Sequence, residues 1–294
     1  MIKKKRSRFR NLVGYGFIFP ALALFLILEL FPIVYNLYIS FHKWKGFGAP
    51  EFVGWENYAK LFSDDKFLDA LGHNIIFMLV ALGIMGVLSF IIALFLDSGM
   101  PGANIFRGLF FLPVITPMIV IGLVWSRVYS SQGGLLNQFL GLLGFSALQN
   151  DWLGDTGTAL TAVLIVWVWR HFGYGMIMFY AGLLGIPGEI KDAAAIDGAK
   201  STQLVWYVII PLMRSVIFIV AILFVIWAFK VFTIIFVMTG GGPYHATEVV
   251  NTFMYDEVFQ YYKLGTGSAI ASLILVLLVI IAFLRNRFTA GVEF

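Results

Sequence analysis

The stretch that decides the fold is residues 189–211, EIKDAAAIDGAKSTQLVWYVIIP, a polar segment between two long apolar runs. Its first dozen positions carry five charged residues: Glu189, Lys191, Asp192, Asp197 and Lys200. Five charges at the centre of a bilayer would cost roughly 12–17 kcal/mol, at about 2.5–3.5 kcal/mol each. The segment must therefore lie outside the membrane and connect two membrane spans.

Local residue preferences predict two short helices within this segment, joined by a glycine turn. Pro187 stands before a run of helix formers at residues 191–195, which favours a helix start at this point. Gly198 suits the end of that helix, because a residue without Cβ adopts the left-handed conformation at low cost. A second helix is expected to begin at Ser201 or Thr202, whose hydroxyl is expected to cap its first turn.

The composition of the chain is that of an integral membrane protein. The 294 residues are 60% hydrophobic and 12% charged. Soluble domains contain about 45–50% apolar and about 25% charged residues, so no water-soluble core accommodates this surplus. The chain has no cysteine, which excludes disulfides and thiol catalysis. Residues 3–10 carry six positive charges and no negative one, against a net charge of +4 for the whole chain, which fits a topology signal better than a nucleic-acid site.

Long apolar runs predict six membrane-spanning helices, so the fold class is an all-α polytopic membrane protein. The runs cover residues 12–41, 74–96, 109–128, 158–184, 212–238 and 268–284. Their lengths suit a membrane span, which needs about 20 residues. Pro113 and Pro117 predict a kink in the third helix, which then packs against protein rather than lipid.

Six spans place both termini on the same side, and the basic start of the chain indicates that this side is the cytoplasm. The external segments are then residues 42–69, 130–157 and 245–263. In this arrangement the cytoplasmic segments carry about twice as many Lys and Arg residues as the external ones. That bias agrees with the positive-inside rule.

The polar segment also carries a family signature. The sequence D-A-A-A-I-D-G-A at residues 192–199, followed by Val208-x-Ile210-Pro211, resembles the cytoplasmic signature of bacterial ABC importer permeases. Asp192 stands where that family usually has Glu. The resemblance implies that residues 189–199 form a coupling helix seated in a groove of an ATPase subunit, whereas the residues alone also allow an ordinary amphipathic connector. The implied coupling residues are Asp192, Ala193, Ala194, Asp197, Gly198, Ala199 and Pro211.

Further motifs resemble the sugar-importing branch of this family. They are T-G-G-G-P at residues 239–243, F-F-L-P at residues 110–113 and Pro32-x-x-Tyr35. The resemblance implies the type I ABC importer permease fold, in the cytoplasmic (inner) membrane of a bacterium. The implied divisions are a basic N-terminus, first helix and external loop (1–70), a five-helix permease domain (71–287) and a cytoplasmic tail (288–294). The implied partners are a second, related permease chain, two cytoplasmic ATPase subunits that use ATP and Mg²⁺, an external solute-binding protein and a carbohydrate substrate.

The chain offers little material for chemistry of its own. Its four histidines show no metal-ligand spacing, and residues 198–201, G-A-K-S, lack the glycines of a phosphate-binding loop. We therefore expect no metal site, no cofactor and no ATP hydrolysis in this chain. Glu29 is the one acidic residue within a predicted span. Ion-driven transporters usually bind the proton or sodium ion with acidic residues inside their spans, so this mechanism is disfavoured. Glu29 itself either lies near the interface, pairs with a basic neighbour or has a functional role.

Two cations lie deep within predicted spans, Arg170 in the fourth and Lys230 in the fifth. An intramembrane charge normally faces the bundle interior or a wet cavity. Arg170 with Tyr174, and Trp227 with Lys230 and Val231, each form a stripe on one helical face. Such stripes either line a sugar passage, through aromatic stacking and hydrogen bonds, or pack the helices and hold the bundle together.

The resemblance favours a role in substrate binding. Tyr174 of this chain corresponds to a tyrosine that contacts sugar in the larger permease subunit of the maltose importer. Trp227 corresponds to a phenylalanine of that subunit that also contacts sugar. Two asparagines of that cavity fall on Ala228 and Val231, so a carbohydrate other than maltose is expected. The two intramembrane cations also allow an anionic ligand such as a sugar phosphate. A peptide importer, a stand-alone secondary transporter and a membrane-embedded enzyme are the alternatives.

Overall fold

The computed structural model describes residue 15 and residues 17–289, and for residues 284–289 it describes the backbone alone. The basic stretch at residues 3–10 and most of the predicted C-terminal tail lie outside the described residues. Two short strands, β1 (His42–Lys43) and β2 (Glu51–Phe52), pair antiparallel. The helices of the described part are α1 (Phe17–Ser40), α2 (Glu56–Phe62), α3 (Asp65–Asp97), α4 (Ala103–Ile115), α5 (Met118–Val128), α6 (Leu135–Leu142), α7 (Ala159–Leu184), α8 (Gly188–Ile196), α9 (Ser201–Leu212), α10 (Arg214–Phe229), α11 (Thr233–Met238), α12 (Val250–Tyr255) and α13 (Leu264–Thr289).

Several helices contain or adjoin turns of another helical type. Wider π turns lie within α1, α3 and α9, at Leu26–Leu30, Ala81–Met85 and Val205–Ile209. A further π turn, Asp256–Gln260, continues α12, and a 3₁₀ turn, Ser146–Leu148, follows α6. A π turn inserts one residue into the helical repeat, so the residues after it face a different direction from those of an ideal helix.

Helix lengths and composition agree with the predicted six spans. Among the described residues, four single helices are long and apolar enough to cross a membrane: α1, α3, α7 and the Leu264–Phe283 part of α13. Two pairs, α4 with α5 and α9 with α10, are also long and apolar enough, but they bend by 97° and 75°. The number of spans is six if each bent pair forms one span. In that case α9 belongs to the fifth span, although the sequence predicted residues 201–211 outside the membrane.

The described residues divide into two compact units, and the smaller one comprises those within residues 15–63 and 254–275. Within it, α1 packs against the start of α13. The side-chain amide of Asn36 donates to the Ser268 carbonyl at 3.3 Å and to the Ser272 hydroxyl at 3.2 Å. Gly265 permits a close approach of two backbones, because a Cβ at this position would lie 2.0 Å from the His42 carbonyl oxygen.

The prediction of a loop at residues 42–69 is wrong in part, because this region contains β1, β2, α2 and the start of α3. Buried Asn57 organises it by donating to the carbonyls of Ser40 at 2.8 Å and His42 at 3.0 Å. Separately, α3 begins at Asp65, where the Asp64 carboxylate accepts the backbone N–H of Lys66 at 2.9 Å. That N-cap starts the helix well before the apolar run on which the prediction relied.

The described residues within 64–253 and 276–289 form the larger unit, and α7 is its most buried candidate span, with 61% of its apolar window buried. Glycines let neighbouring helices approach α7 closely. A Cβ at Gly173 would lie 2.1 Å from the Phe110 carbonyl oxygen of α4, and one at Gly175 would lie 2.5 Å from the Phe224 ring of α10. The predicted fourth span at residues 158–184 is confirmed as α7, which begins one residue later.

The prediction of one kinked helix for the third span is wrong, because α4 and α5 are separate helices. Pro113 lies inside α4 and does not end it. The chain turns at Thr116, whose ψ of 133° is extended, and Pro117 follows as the N-cap of α5. A residue before proline avoids the helical conformation, so Thr116 accounts for the 97° bend.

The prediction of a continuous fifth helix at residues 212–238 is also wrong, because α10 ends at Phe229 and α11 begins at Thr233. The side-chain amide of Asn251 donates to the Phe229 carbonyl at 2.9 Å and to the Val231 carbonyl at 3.1 Å. Backbone carbonyls within a membrane need a hydrogen-bond donor. In a continuous helix the backbone N–H groups of the next turn would donate to these two carbonyls, and here the side-chain amide of Asn251 donates instead. The predicted sixth span lies within the longer α13.

Candidate functional site

The polar segment between α7 and α10 folds as two short helices around a glycine turn, as predicted. Gly198 follows α8 with a φ of +77°, in the left-handed region. The backbone N–H groups of Gly198 and Ala199 donate to the carbonyls of Ala195 and Ala194, at 3.1 and 3.0 Å. These two bonds close the C-terminus of α8 in the manner typical of a glycine-ended helix.

The second helix, α9, begins at Ser201 as predicted, but the predicted hydroxyl cap is wrong. Lys200 occupies the N-cap position, so Ser201 and Thr202 already lie within the first turn. The backbone N–H of Lys200 donates to Oε1 of Gln203 at 2.8 Å. This bond is the reverse half of a capping box, in which the side chain three residues ahead bonds the N-cap backbone.

Most of the predicted coupling residues face outward from the chain. Ala194 and Ala199 are half-buried, and the exposed ones are Asp192, Ala193, Asp197, Gly198 and Pro211. On the same helix the apolar side chain of Ile196 is 86% exposed. Trp206 and Tyr207 of α9 are also exposed, at 67% and 78%, and several exposed apolar side chains in one segment are typical of a contact surface. The surface suits a partner protein, and its coupling role stays a prediction.

A cavity of about 210 Å³ lies beside the break between α10 and α11. The predicted stripe of Trp227, Lys230 and Val231 on one continuous helix is wrong, because α10 ends at Phe229. All three nevertheless line this cavity, Lys230 as an exposed and Val231 as a buried residue. The other lining residues are Met118, Trp167, His171, Ile226, Phe232, Thr233 and Ile234.

Tyr174 joins the cavity residues through Trp227. The ring centroids of Tyr174 and Trp227 lie 5.0 Å apart, edge to face at 74°. The His171 ring lies 5.2 Å from that of Trp227 and 4.9 Å from that of Trp167, and its Nδ1 bonds the Trp167 carbonyl at 2.8 Å. Sequence analysis did not select Trp167 or His171 as cavity residues. Their spacing with Tyr174, at 167, 171 and 174, marks one face of α7 and was the available signal.

Arg170 flanks this aromatic face without lining the cavity. Helix geometry places it about 40° from Tyr174 around the axis of α7. Its Nε is buried and, within the described part of the chain, has no hydrogen-bond partner. A buried donor without a partner is costly, so Arg170 is suited to bind a ligand or a side chain of another subunit.

The helices described above define the class of the protein: a polytopic membrane protein with a charged segment between two of its apolar helices and a cavity beside the break between α10 and α11. Residues 87–293 match the family described as "Binding-protein-dependent transport system inner membrane component". The chain belongs to this family of ABC transporter permeases.

Relatives and solved structures agree with this assignment. The probable ABC transporter permease protein YurN of Bacillus subtilis is 34% identical over 282 residues, which cover 95% of this chain and 96% of YurN. The trehalose/maltose transport system permease protein MalF of Thermococcus litoralis is 33% identical over 270 residues, which cover 90% of this chain and 89% of MalF. A chain of a bacterial alginate ABC transporter, solved with an alginate pentasaccharide-bound periplasmic protein, has a TM-score of 0.84 and 18% identity over 97% of this chain and 96% of its own. The predicted fold class, a six-span type I ABC importer permease, is confirmed.

Proposed function

We propose that this chain forms half of the translocation pathway of an ATP-driven, binding-protein-dependent importer for a carbohydrate. The observation that carries the proposal is the cavity, where the rings of Trp227 and His171 lie beside Lys230. Sugars bind through stacking on their C–H faces and through hydrogen bonds to their hydroxyls. Apolar walls with a few polar groups are the usual form of such a site. The similarity to the trehalose/maltose permease supports the same class of substrate.

The proposed transporter contains other subunits besides this chain. A second, homologous permease completes the pathway, and two cytoplasmic ATPase subunits use ATP and Mg²⁺. A solute-binding protein delivers the carbohydrate from outside, no nucleic acid takes part, and this chain needs no cofactor. Both termini lie in the cytoplasm, so α8 and Gly198 face the ATPase. Closure of the ATPase pair pushes α8 and rocks the spans between inward-open and outward-open states.

Lys230 favours a second candidate substrate within the same machinery, an acidic carbohydrate such as a sugar phosphate. A cation within membrane spans is expensive unless it has a partner or a function, and Lys230 is exposed in the cavity lining. A peptide importer remains as an alternative, whereas membership of the ABC permease family argues against a stand-alone secondary transporter. Glu29, the acidic residue of α1, is exposed, and its role stays open.

Copurification tests the proposal most directly. A tagged copy of this chain, isolated from its native membrane in mild detergent, is expected to bring down a second permease and an ATPase, and the complex is expected to hydrolyse ATP. A chain that purifies alone and catalyses uptake driven by an ion gradient would refute the proposal. Binding of carbohydrates, sugar phosphates and peptides to the associated solute-binding protein then identifies the class of substrate.

Trp227→Ala is expected to impair uptake at low substrate concentration. The substitution removes the ring that lines the cavity and contacts Tyr174 and His171. We expect the KM of uptake into proteoliposomes to rise about tenfold, which equals about 1.4 kcal/mol of lost binding.

Trp169→Ala is the matched control for this prediction. Trp169 lies on the opposite face of α7 from Trp167 and packs against Trp125, with ring centroids 5.5 Å apart. The KM of uptake by the Trp169→Ala variant is expected to stay at the wild-type value. An unchanged KM in the Trp227 variant, or an equal rise in both variants, would remove Trp227 from the substrate site.

A further inference from the structure

One ion pair joins α8 to the rest of the larger unit. Nζ of Lys191 lies 2.7 Å from Oδ2 of Asp97, the last residue of α3. The two side chains are only 26% and 15% exposed, so water screens the pair weakly. Among the described residues it is the one side-chain hydrogen bond or ion pair that α8 makes. The remaining charged side chains of α8, Glu189 and Asp192, are exposed.

The position of Asp97 shows why it needs Lys191. The C-terminus of a helix carries a partial negative charge from its free carbonyl groups. A carboxylate in the last turn is therefore unfavourable by itself, and a cation beside it offsets the repulsion. Lys191, reaching from another helix 94 positions away, supplies that cation. The pair thus links the end of a membrane span to the helix outside the membrane.

The helix that carries Asp97 also contacts α7, the helix that contributes Trp167 and His171 to the cavity lining. The hydroxyl of Ser89 in α3 donates to the Phe172 carbonyl of α7 at 2.8 Å, and Ser89 is fully buried. A Cβ at Gly175 would lie 2.8 Å from the same hydroxyl oxygen. This contact falls on the turn of α7 that carries His171 and Tyr174. A continuous series of contacts therefore runs from α8, through Lys191, Asp97 and α3, to the residues beside the cavity.

We propose that Lys191 and Asp97 are positioning residues that transmit the movement of α8 to α3, and through α3 to the cavity wall on α7. This inference rests on the proposed function, since the movement originates in the ATPase. When α8 is displaced, the charge pair draws the cytoplasmic end of α3 with it. Without the pair, α8 pivots about the turns on either side of it, and the cytoplasmic end of α3 moves less than α8 does.

The absence of cysteine allows a test that does not require the substrate to be known. A single cysteine replaces Thr233, which lines the cavity. The tagged chain is purified with its native partners and reconstituted into proteoliposomes. The experiment measures how fast a membrane-impermeant charged maleimide labels this cysteine, with and without ATP and vanadate. The ratio of the two rates reports the ATP-driven opening of the cavity, and ATP hydrolysis and subunit content are measured in parallel.

In this background, Asp97→Asn and Lys191→Met are each expected to reduce the ATP-driven ratio about threefold or more, the range of measured couplings between distant sites. ATP hydrolysis and bound ATPase are expected to stay at the level of the cysteine parent. The exchanged pair, Asp97→Lys with Lys191→Asp, is expected to restore the ratio, which a merely structural loss would not allow. Lys200→Met, a change of an exposed lysine in the same segment, serves as the control and is expected to have no effect.

The outcomes separate this inference from the proposed function. A parent that purifies without an ATPase, or whose labelling does not respond to ATP, would refute the proposed function and this inference with it. If the labelling of the parent responds to ATP and both single variants show the same ATP-driven ratio as the parent, the positioning role is wrong and the proposed function stands. The same conclusion follows if the exchanged pair is no better than either single variant. Lys191 lies on a peripheral helix, so its variant is expected to fold even where a variant of Asp97 does not.

Discussion

Replacing Gly198 with proline is expected to reduce ATP-driven uptake by about a hundredfold while the complex stays assembled. Gly198 has a φ of +77°, whereas proline fixes φ near −65°. Proline also lacks the N–H that Gly198 donates to the Ala195 carbonyl at 3.1 Å. A cost of about 3 kcal/mol or more against this geometry corresponds to at least a hundredfold loss of the native turn. Because α8 is then misdirected, the proposed ATPase partner would no longer move the spans.

Two alanine variants control for this result. Gly198→Ala tests the backbone conformation by itself, because an added Cβ meets no atom within 4 Å. Alanine in the left-handed region costs about 1–2 kcal/mol, so about a tenfold loss of uptake is expected. Gly188→Ala, at the start of α8, also meets no atom within 4 Å and requires no unusual φ, so uptake is expected to be unchanged. Uptake in proteoliposomes and the amount of bound ATPase are the measurements. Normal uptake by Gly198→Pro would show that the glycine turn has no coupling role.

Sequence analysis predicted correctly the features that local patterns determine. The charged residues 189–200 must leave the bilayer whatever the remaining chain does, and the glycine turn depends only on Gly198. The bounds of α7 follow from an apolar run with polar residues on both sides. In each case the responsible residues lie within one or two helical turns of the feature, so a single sequence contains the full signal.

The break between α10 and α11 could not be predicted in this way. Residues 230–238, KVFTIIFVM, are apolar enough after Lys230 to continue a helix. The break depends on partners far along the chain, Asn251 for the Phe229 and Val231 carbonyls and Asn74 for the carbonyl of Ala228. A single sequence gives no sign of such pairings.

The residues of the candidate site were predicted only in part, because they also depend on contacts between residues far apart in the sequence. Trp227 and Tyr174 share a site because two helices pack side by side, which a resemblance to a family can indicate and periodicity cannot. Lys191 is a charged residue in a charged segment, and nothing in its local pattern indicates that Asp97 is its partner. Long-range side-chain contacts therefore account for most of what the structure adds.

Asn74→Ala is expected to destabilise the larger unit strongly. Asn74 is fully buried, and its Nδ2 donates to the Ala228 carbonyl at 2.7 Å. Its Oδ1 accepts the backbone N–H of Val250, the first residue of α12, at 2.8 Å. Alanine leaves both backbone groups without a partner, and each such buried group costs about 1–3 kcal/mol. A loss of about 2–6 kcal/mol in the free energy of unfolding is therefore expected, measured by tryptophan fluorescence during denaturation in detergent.

Two further variants show whether this loss comes from the helix break. Asn251→Ala is expected to cost less than Asn74→Ala, because Asn251 is half-buried and one of its two acceptors, Val231, lines the cavity, where water replaces the amide. Asn104→Ala changes an exposed asparagine at the start of α4 and is expected to shift stability by less than about 0.5 kcal/mol. If Asn74→Ala is as stable as Asn104→Ala, the break does not depend on the side-chain amide. The interrupted helix would then have to be explained by the packing of α11 alone.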